Sequence, residues 1–171
     1  MASDLKNLSE FEGSAIPDAT GMKFGIVFSE WNYEVTGKLK SGAIEALLKN
    51  GVRENDIVIE SVPGSYELTL GAQLMAEEFK PDAIIALGCV IQGETKHFDF
   101  ICDAVAHGIT ELNIRLKLPV IFGVLTTHTM EQALDRSGGK HGNKGEEAAV
   151  TAIKMIALKA RLKKERKSIG F

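Results

Sequence analysis

The sequence predicts a single α/β domain in three layers, α/β/α, with helices on both faces of a four-stranded parallel sheet. Three observations carry that expectation. Strand-like and helix-like segments alternate along the chain, the pattern that crossover connections between parallel strands require. One segment, DAIIALGCVI at residues 82–91, is apolar at nearly every position, as a central strand covered on both faces must be. Finally, 171 residues with 44% hydrophobic content suit one compact domain, which buries about 70% of its unfolded surface.

Each element has its own signal. Residues 1–21 are polar and carry Gly13, Pro17 and Gly21, so they read as an irregular N-terminal arm able to add an edge strand. MKFGIVFS at 22–29 is β-branched and aromatic and predicts the first strand. Val35, Leu39, Ala43 and Leu47 recur at helical spacing over 33–50, where Asn50 and Gly51 supply a left-handed stop. DIVIESV at 56–62 predicts the second strand, closed by Pro63 and Gly64. Leu68, Met75 and Phe79 mark the inward face of a second helix that ends before Pro81. Beyond the third strand, Phe98, Ile101, Val105, Ile109, Leu112 and Leu116 step by three or four and predict a long third helix. Pro119 ends it and opens the fourth strand, VIFGVLTT at 120–127. A short helix over 130–136 is broken by Gly138 and Gly139. The last helix, over 146–161, turns Ala149, Ile153, Ile156 and Ala160 inward, with early Glu and late Lys matching its dipole. The expected strand order is flavodoxin-like, 2-1-3-4. The core domain is expected over 22–158, with a basic, solvated tail over 159–171.

Composition narrows the function. With 20 basic against 23 acidic residues and no basic run before the C-terminus, nucleic acid is not an expected partner. Cys89 lies in an apolar run and Cys102 in a helical pattern, without CxxC spacing, so both are expected as reduced thiols. The opening MASDLKNLSEFEG lacks an apolar signal core, and no apolar run approaches a membrane span. The expectation is a soluble cytoplasmic protein with no membrane partner.

In parallel sheets of this kind ligands sit at the carboxyl ends of the strands, so the turns there deserve the closest reading. The first turn, SEWNYEVT, holds the only tryptophan, Trp31, which can serve as a ligand platform or merely lid the sheet edge. The second, VPGSYEL, leaves the amides of Ser65, Tyr66 and Glu67 at a helix start, although Ser65 can also be plain N-cap punctuation. The third, GCVIQGETKHFDF, is the most informative. Gly93 permits close backbone approach, and Glu94 and Thr95 stand where the long helix begins and its dipole attracts an anion. His97 follows in the first turn, where the positive dipole end favours a neutral imidazole able to act as a base. A surface histidine at a helix start is the plainer alternative. Strand four contributes Phe122, which reads equally as a core aromatic. DRSGGKHGNKG then offers Arg136, Lys140 and Lys144 among glycines, either to hold phosphate or as solvated loop charge.

The series SEWN, VPGSYE, GCVIQGETKHFDF, PVIFGVLTT and DRSGGKHGNKG resembles the lumazine synthases in order and spacing, from about residue 24 to 159. The resemblance implies condensation of 5-amino-6-(D-ribitylamino)uracil with 3,4-dihydroxy-2-butanone 4-phosphate, through imine formation, phosphate elimination and ring closure, without metal or cofactor. It implies that Trp31 stacks on the pyrimidinedione and that Phe122 closes the other side of the pocket. Ser65, Tyr66 and Glu67, with Cys89, Val90 and Ile91, match segments that bond the ribityl chain and ring edges. Glu94, Thr95, Arg136 and Lys144 match the sugar-phosphate contacts, and His97 the proton-transfer residue.

Gln92, Lys96 and Trp31 stand where many members have Arg, Pro and Phe. The first two alter the charge around the phosphate, and the third keeps a stacking face. The resemblance also implies a homo-oligomer, a pentamer or a sixty-subunit shell, with sites between neighbours and riboflavin synthase as a candidate partner. Two competing readings are a riboflavin synthase of the same fold and a non-enzymatic flavin-binding or shell protein. The phosphate-type residues Thr95, Arg136 and Lys144 weigh against the first, and His97 against the second.

Overall fold

The computed structural model describes residues 16–168. Four strands, β1 (Phe24–Ser29), β2 (Ile57–Val62), β3 (Ala83–Ile91) and β4 (Val120–Thr127), form one sheet in the order β2-β1-β3-β4. Every pairing in it is parallel, with Phe24 opposite both Ile57 and Ala83, and Ile84 opposite Val120. The expected three-layer architecture and strand order are therefore borne out.

Residue alternation on the two central strands explains the layers. Phe24, Ile26 and Phe28 of β1 and Ile85, Leu87 and Cys89 of β3 share one face. There they meet Leu39, Ala43 and Leu47 of α1 (Tyr33–Lys49) and Ala149, Ala152 and Ile153 of α5 (Lys144–Ser168). On the opposite face Val27, Ile84 and Ala86 meet Leu68, Ala72 and Met75 of α2 (Leu68–Phe79). Val105, Ile109 and Leu112 of α3 (His97–Leu116) complete that second core. All six residues of β1 are buried, whereas β2, at the edge, exposes Glu60 and Ser61.

Local chemistry sets the helix ends. Gly51 at φ 94° follows α1, and left-handed Lys80 and Lys117 close α2 and α3 ahead of Pro81 and Pro119. α4 (Met130–Leu134) is capped by Thr129, whose hydroxyl accepts from the Gln132 amide at 3.2 Å. Gly145 is required by close approach, because a Cβ there would run into the main-chain oxygen of Leu39. The start of α5 can thus lie directly against α1.

Several expectations need correction. The glycine break after α4 is a small antiparallel hairpin, β5 (Ser137–Gly139) and β6 (Gly142–Asn143). The last helix begins at Lys144 and runs to Ser168, and from Lys159 to Glu165 its side chains are exposed, Ala160 included. It outruns the face on which it packs. Phe79, expected inward, is half exposed at the last turn of α2. The N-terminal arm is described only from residue 16, where buried Ala19 donates its amide to Asn50 O at 3.0 Å. The edge strand suggested for the arm lies outside the described residues. No helix among the described residues is long and apolar enough to cross a membrane.

Candidate active site

The carboxyl ends of β1, β2 and β3 open together onto a cavity of about 710 Å³. Of the residues singled out by sequence, Trp31, Ser65, Tyr66 and Glu67 line it, together with Cys89, Val90, Ile91 and His97. Four elements distant in sequence contribute these side chains, and the parallel register brings them to one end of the sheet.

The first wall is the turn after β1. It continues the strand's hydrogen bonding toward β2, with Glu30 N donating to Val62 O at 2.8 Å and Trp31 N to Pro63 O at 3.1 Å. Buried Thr36 donates to Ser29 O at 2.7 Å and fixes the turn from below. Trp31 sits in this turn and lines the cavity while 73% exposed, so its ring face is free to stack on a flat ligand.

The second wall is the Ser65–Glu67 turn of 3-10 helix that leads into α2. Ser65 does not cap it: its hydroxyl makes no cap bond, is buried, and has no hydrogen-bond partner among the described residues. An unsatisfied buried hydroxyl costs about 1–3 kcal/mol. Gly88 makes room for this hydroxyl, since a Cβ on Gly88 would stand 2.7 Å from Ser65 Oγ.

The floor is the end of β3. Cys89 is 1% exposed, and burial pushes its thiol up to about 11, so it is a neutral, poorly nucleophilic group at neutral pH. Its carbonyl accepts from Asn32 Nδ2 at 3.0 Å. Asn32 also lines the cavity and escaped the sequence reading, although its left-handed conformation (φ 60°) is one that asparagine tolerates better than most residues. Pro63, Gly64 and Ile101 also line the cavity, although their sequence signals mark only a turn and a helix face.

His97 is the first residue of α3, exposed at the cavity rim, with its amide donating to Thr95 Oγ1 at 3.4 Å. Glu94 and Thr95 occupy the exposed turn between β3 and α3, just ahead of the helix rather than within it. The positive end of the dipole of this 20-residue helix faces that turn.

Phe122, Arg136 and Lys144 lie elsewhere. They line a second groove of about 680 Å³ along edge strand β4 and the start of α5, with Phe122 43% exposed. Arg136 donates from Nη1 to Gln132 O at 2.9 Å, and Lys144 is paired with Glu147 at 2.6 Å in a mostly buried ion pair. Lys140 pairs with Asp135 at 3.3 Å. Among the described residues, no group of three or more His, Cys, Asp or Glu side chains is placed to hold a metal ion.

The family model described as 6,7-dimethyl-8-ribityllumazine synthase matches residues 21–160. The chain belongs to this family. Among curated relatives bearing that family name, the one from Cytophaga hutchinsonii is 59% identical over 157 residues, covering 92% of this chain and 98% of its own. The Parabacteroides distasonis relative is 54% identical over 160 residues, covering 94% of this chain and 100% of its own. The Flavobacterium psychrophilum relative is 50% identical over 171 residues, covering 100% of this chain and 88% of its own. The resemblance read from the turns is therefore borne out at the level of the lumazine synthase family.

Proposed function

We propose that this chain condenses 5-amino-6-(D-ribitylamino)uracil with 3,4-dihydroxy-2-butanone 4-phosphate to give 6,7-dimethyl-8-ribityllumazine, in the penultimate step of riboflavin biosynthesis. Family membership supports the reaction. The observation that carries the site assignment is that one cavity collects Trp31, the Ser65–Glu67 turn, the end of β3 and His97.

In this reading the pyrimidinedione stacks on Trp31, a contact worth ~1–3 kcal/mol by analogy with nucleic-acid bases. Ser65 and the turn with Tyr66 and Glu67 meet the ribityl hydroxyls, and the main chain of Cys89, Val90 and Ile91 meets the ring edge. Glu94, Thr95 and the start of α3 hold the sugar phosphate. The uracil amine attacks the ketone and loses water to form an imine. His97 then moves the proton that lets phosphate leave, and closure of the second ring expels water again. Both reactants bring their own reactivity, so positioning supplies much of the rate, with effective molarities of roughly 10⁵ M or more. Proton transfer by His97 adds about 10²–10⁴.

Among the described residues that line it, the cavity has no Lys or Arg to meet a phosphate, whereas the groove on β4 offers Arg136 and Lys144 together with Phe122. We assign that groove to the site of a neighbouring copy, so that a homo-oligomer, a pentamer or a sixty-subunit shell, completes each pocket. The enzyme then works in the cytoplasm and hands its product to a riboflavin synthase. An assay with both substrates, followed by lumazine absorbance, tests the reaction: folded protein that forms no product removes it. Solution mass tests the assembly, and a monomer that turns over at full rate removes the shared pocket.

A further inference from the structure

The turn that leads from β3 into α3 is exposed from Gln92 through His97, and a Cβ built on Gly93 would meet nothing within 4 Å. Such a turn needs external restraint if it is to present Glu94 and Thr95 in one geometry. That restraint comes from the last residue of β4 and the one after it. Gln92 N donates to Thr127 O at 2.9 Å, and the side-chain oxygen of Gln92 accepts from Nδ1 of His128. An amide oxygen can only accept, so this bond places a proton on Nδ1.

His128 also faces the other way. Its backbone amide donates to Gln132 Oε1 at 3.0 Å, and the carbonyl of the same Gln132 accepts from Arg136 Nη1 at 2.9 Å. Thr129 locks the intervening helical turn, with its hydroxyl accepting from Gln132 N at 3.2 Å and its carbonyl from Ala133 N at 3.3 Å. Gln92, His128, Gln132 and Arg136 thus form one continuous hydrogen-bonded frame. One end carries the turn with Glu94 and Thr95, and the other carries a guanidinium. Gln92 has no charge, so what it brings to an anion site is position.

We propose that His128 is a positioning residue for sugar-phosphate binding. Its imidazole, through Gln92, holds the turn before α3, and its main-chain amide bonds the side chain of Gln132, whose own carbonyl anchors Arg136. This rests on the reading above that Glu94 and Thr95 meet the phosphate in this chain's own pocket, while Arg136 meets the one in a neighbouring copy's pocket.

The test measures KM for each substrate, kcat and Tm in the native protein and in the variants H128L, H128N, Q92L and R136A. Losing one hydrogen bond should raise the sugar-phosphate KM roughly three- to tenfold in H128L and Q92L, leaving the uracil KM in place. Asparagine carries an N–H donor near the position of Nδ1, so H128N should restore the native sugar-phosphate KM. A second substitution should add nothing to the first in the H128L/Q92L pair. Gln92 is exposed, so Q92L reads the relay even where H128L fails to fold. A native sugar-phosphate KM in both H128L and Q92L while R136A raises it overturns the relay alone, as does an H128N that behaves like H128L. Equal rises in both KM values overturn it too. An R136A that spares the sugar phosphate overturns the site reading beneath it.

Discussion

Asn32 and Cys89 stand 57 positions apart in sequence, yet the side-chain amide of the first donates to the carbonyl of the second at 3.0 Å. This bond ties the turn carrying Trp31 to the strand end that forms the cavity floor. Two energies act at Asn32, the hydrogen bond and the left-handed backbone at φ 60°. Asn32→Gly should cost about 1 kcal/mol, because glycine keeps the conformation and loses only the bond. Asn32→Ala should cost about 2 kcal/mol or more, since alanine adds left-handed strain. Urea unfolding separates the two, and equal losses would mean that the backbone carries no strain.

Trp31 is the single tryptophan and is 73% exposed at the cavity mouth, so its emission reports directly on the proposed stacking. Titration with a ribityl-pyrimidine analogue should quench the fluorescence in step with binding. Emission unchanged at saturation would remove the indole from the binding surface.

Arg136 should discriminate between the two substrates. Arg136→Ala should raise the sugar-phosphate KM roughly 10- to 100-fold, the loss expected for a charge-assisted contact, with little change for the uracil. Mixing this variant with His97→Ala should recover activity when subunits exchange, because some pockets then combine an intact His97 with a neighbour's intact Arg136. No recovery after demonstrated exchange would place both residues in one chain's site.

Cys89 makes stability fall in alkaline solution. Burial raises its thiol from the ordinary 9.0 to about 11 in the folded chain. Between these values the unfolded chain has lost the proton that the native state keeps, so rising pH favours unfolding. The contribution is intact below pH 9 and fully lost above pH 11, amounting to about 2–3 kcal/mol. Denaturant unfolding at several pH values should give a shallower decline over this window for Cys89→Ala than for the native protein. Parallel slopes would show that the thiol does not feel its burial.

The parts of the molecule legible in sequence are those whose pattern reflects burial over several residues. The apolar run of β3 could only be a strand covered on both faces, and α1 shows its inward face in Val35, Leu39, Ala43 and Leu47, all buried. The β5–β6 hairpin escaped because strands of three and two residues rich in glycine carry no alternation. The end of α5 read as a tail because its Lys, Arg and Glu residues make no apolar stripe. Helix propensity and continuity with the preceding turns extend it nonetheless. Most of the cavity lining was named from sequence, but Asn32 was not, because its role depends on a partner brought close only by strand register. The separation of Phe122, Arg136 and Lys144 from His97 within one chain is signalled in the sequence by the resemblance alone, which implies pockets between neighbours. It follows from β4 lying at the edge of the sheet, with α5 turning back against it.

β3 does two jobs along nine residues. Its first part, with Ile84, Ile85 and Leu87 wholly buried, is the centre of both hydrophobic layers, and its last part is the floor of the cavity. Any attempt to redesign ligand preference through that floor therefore perturbs the strand that the whole fold is packed around. Room for new specificity lies instead in the rim, at positions such as Trp31 and Tyr66, where side chains can be exchanged without disturbing a packed neighbour.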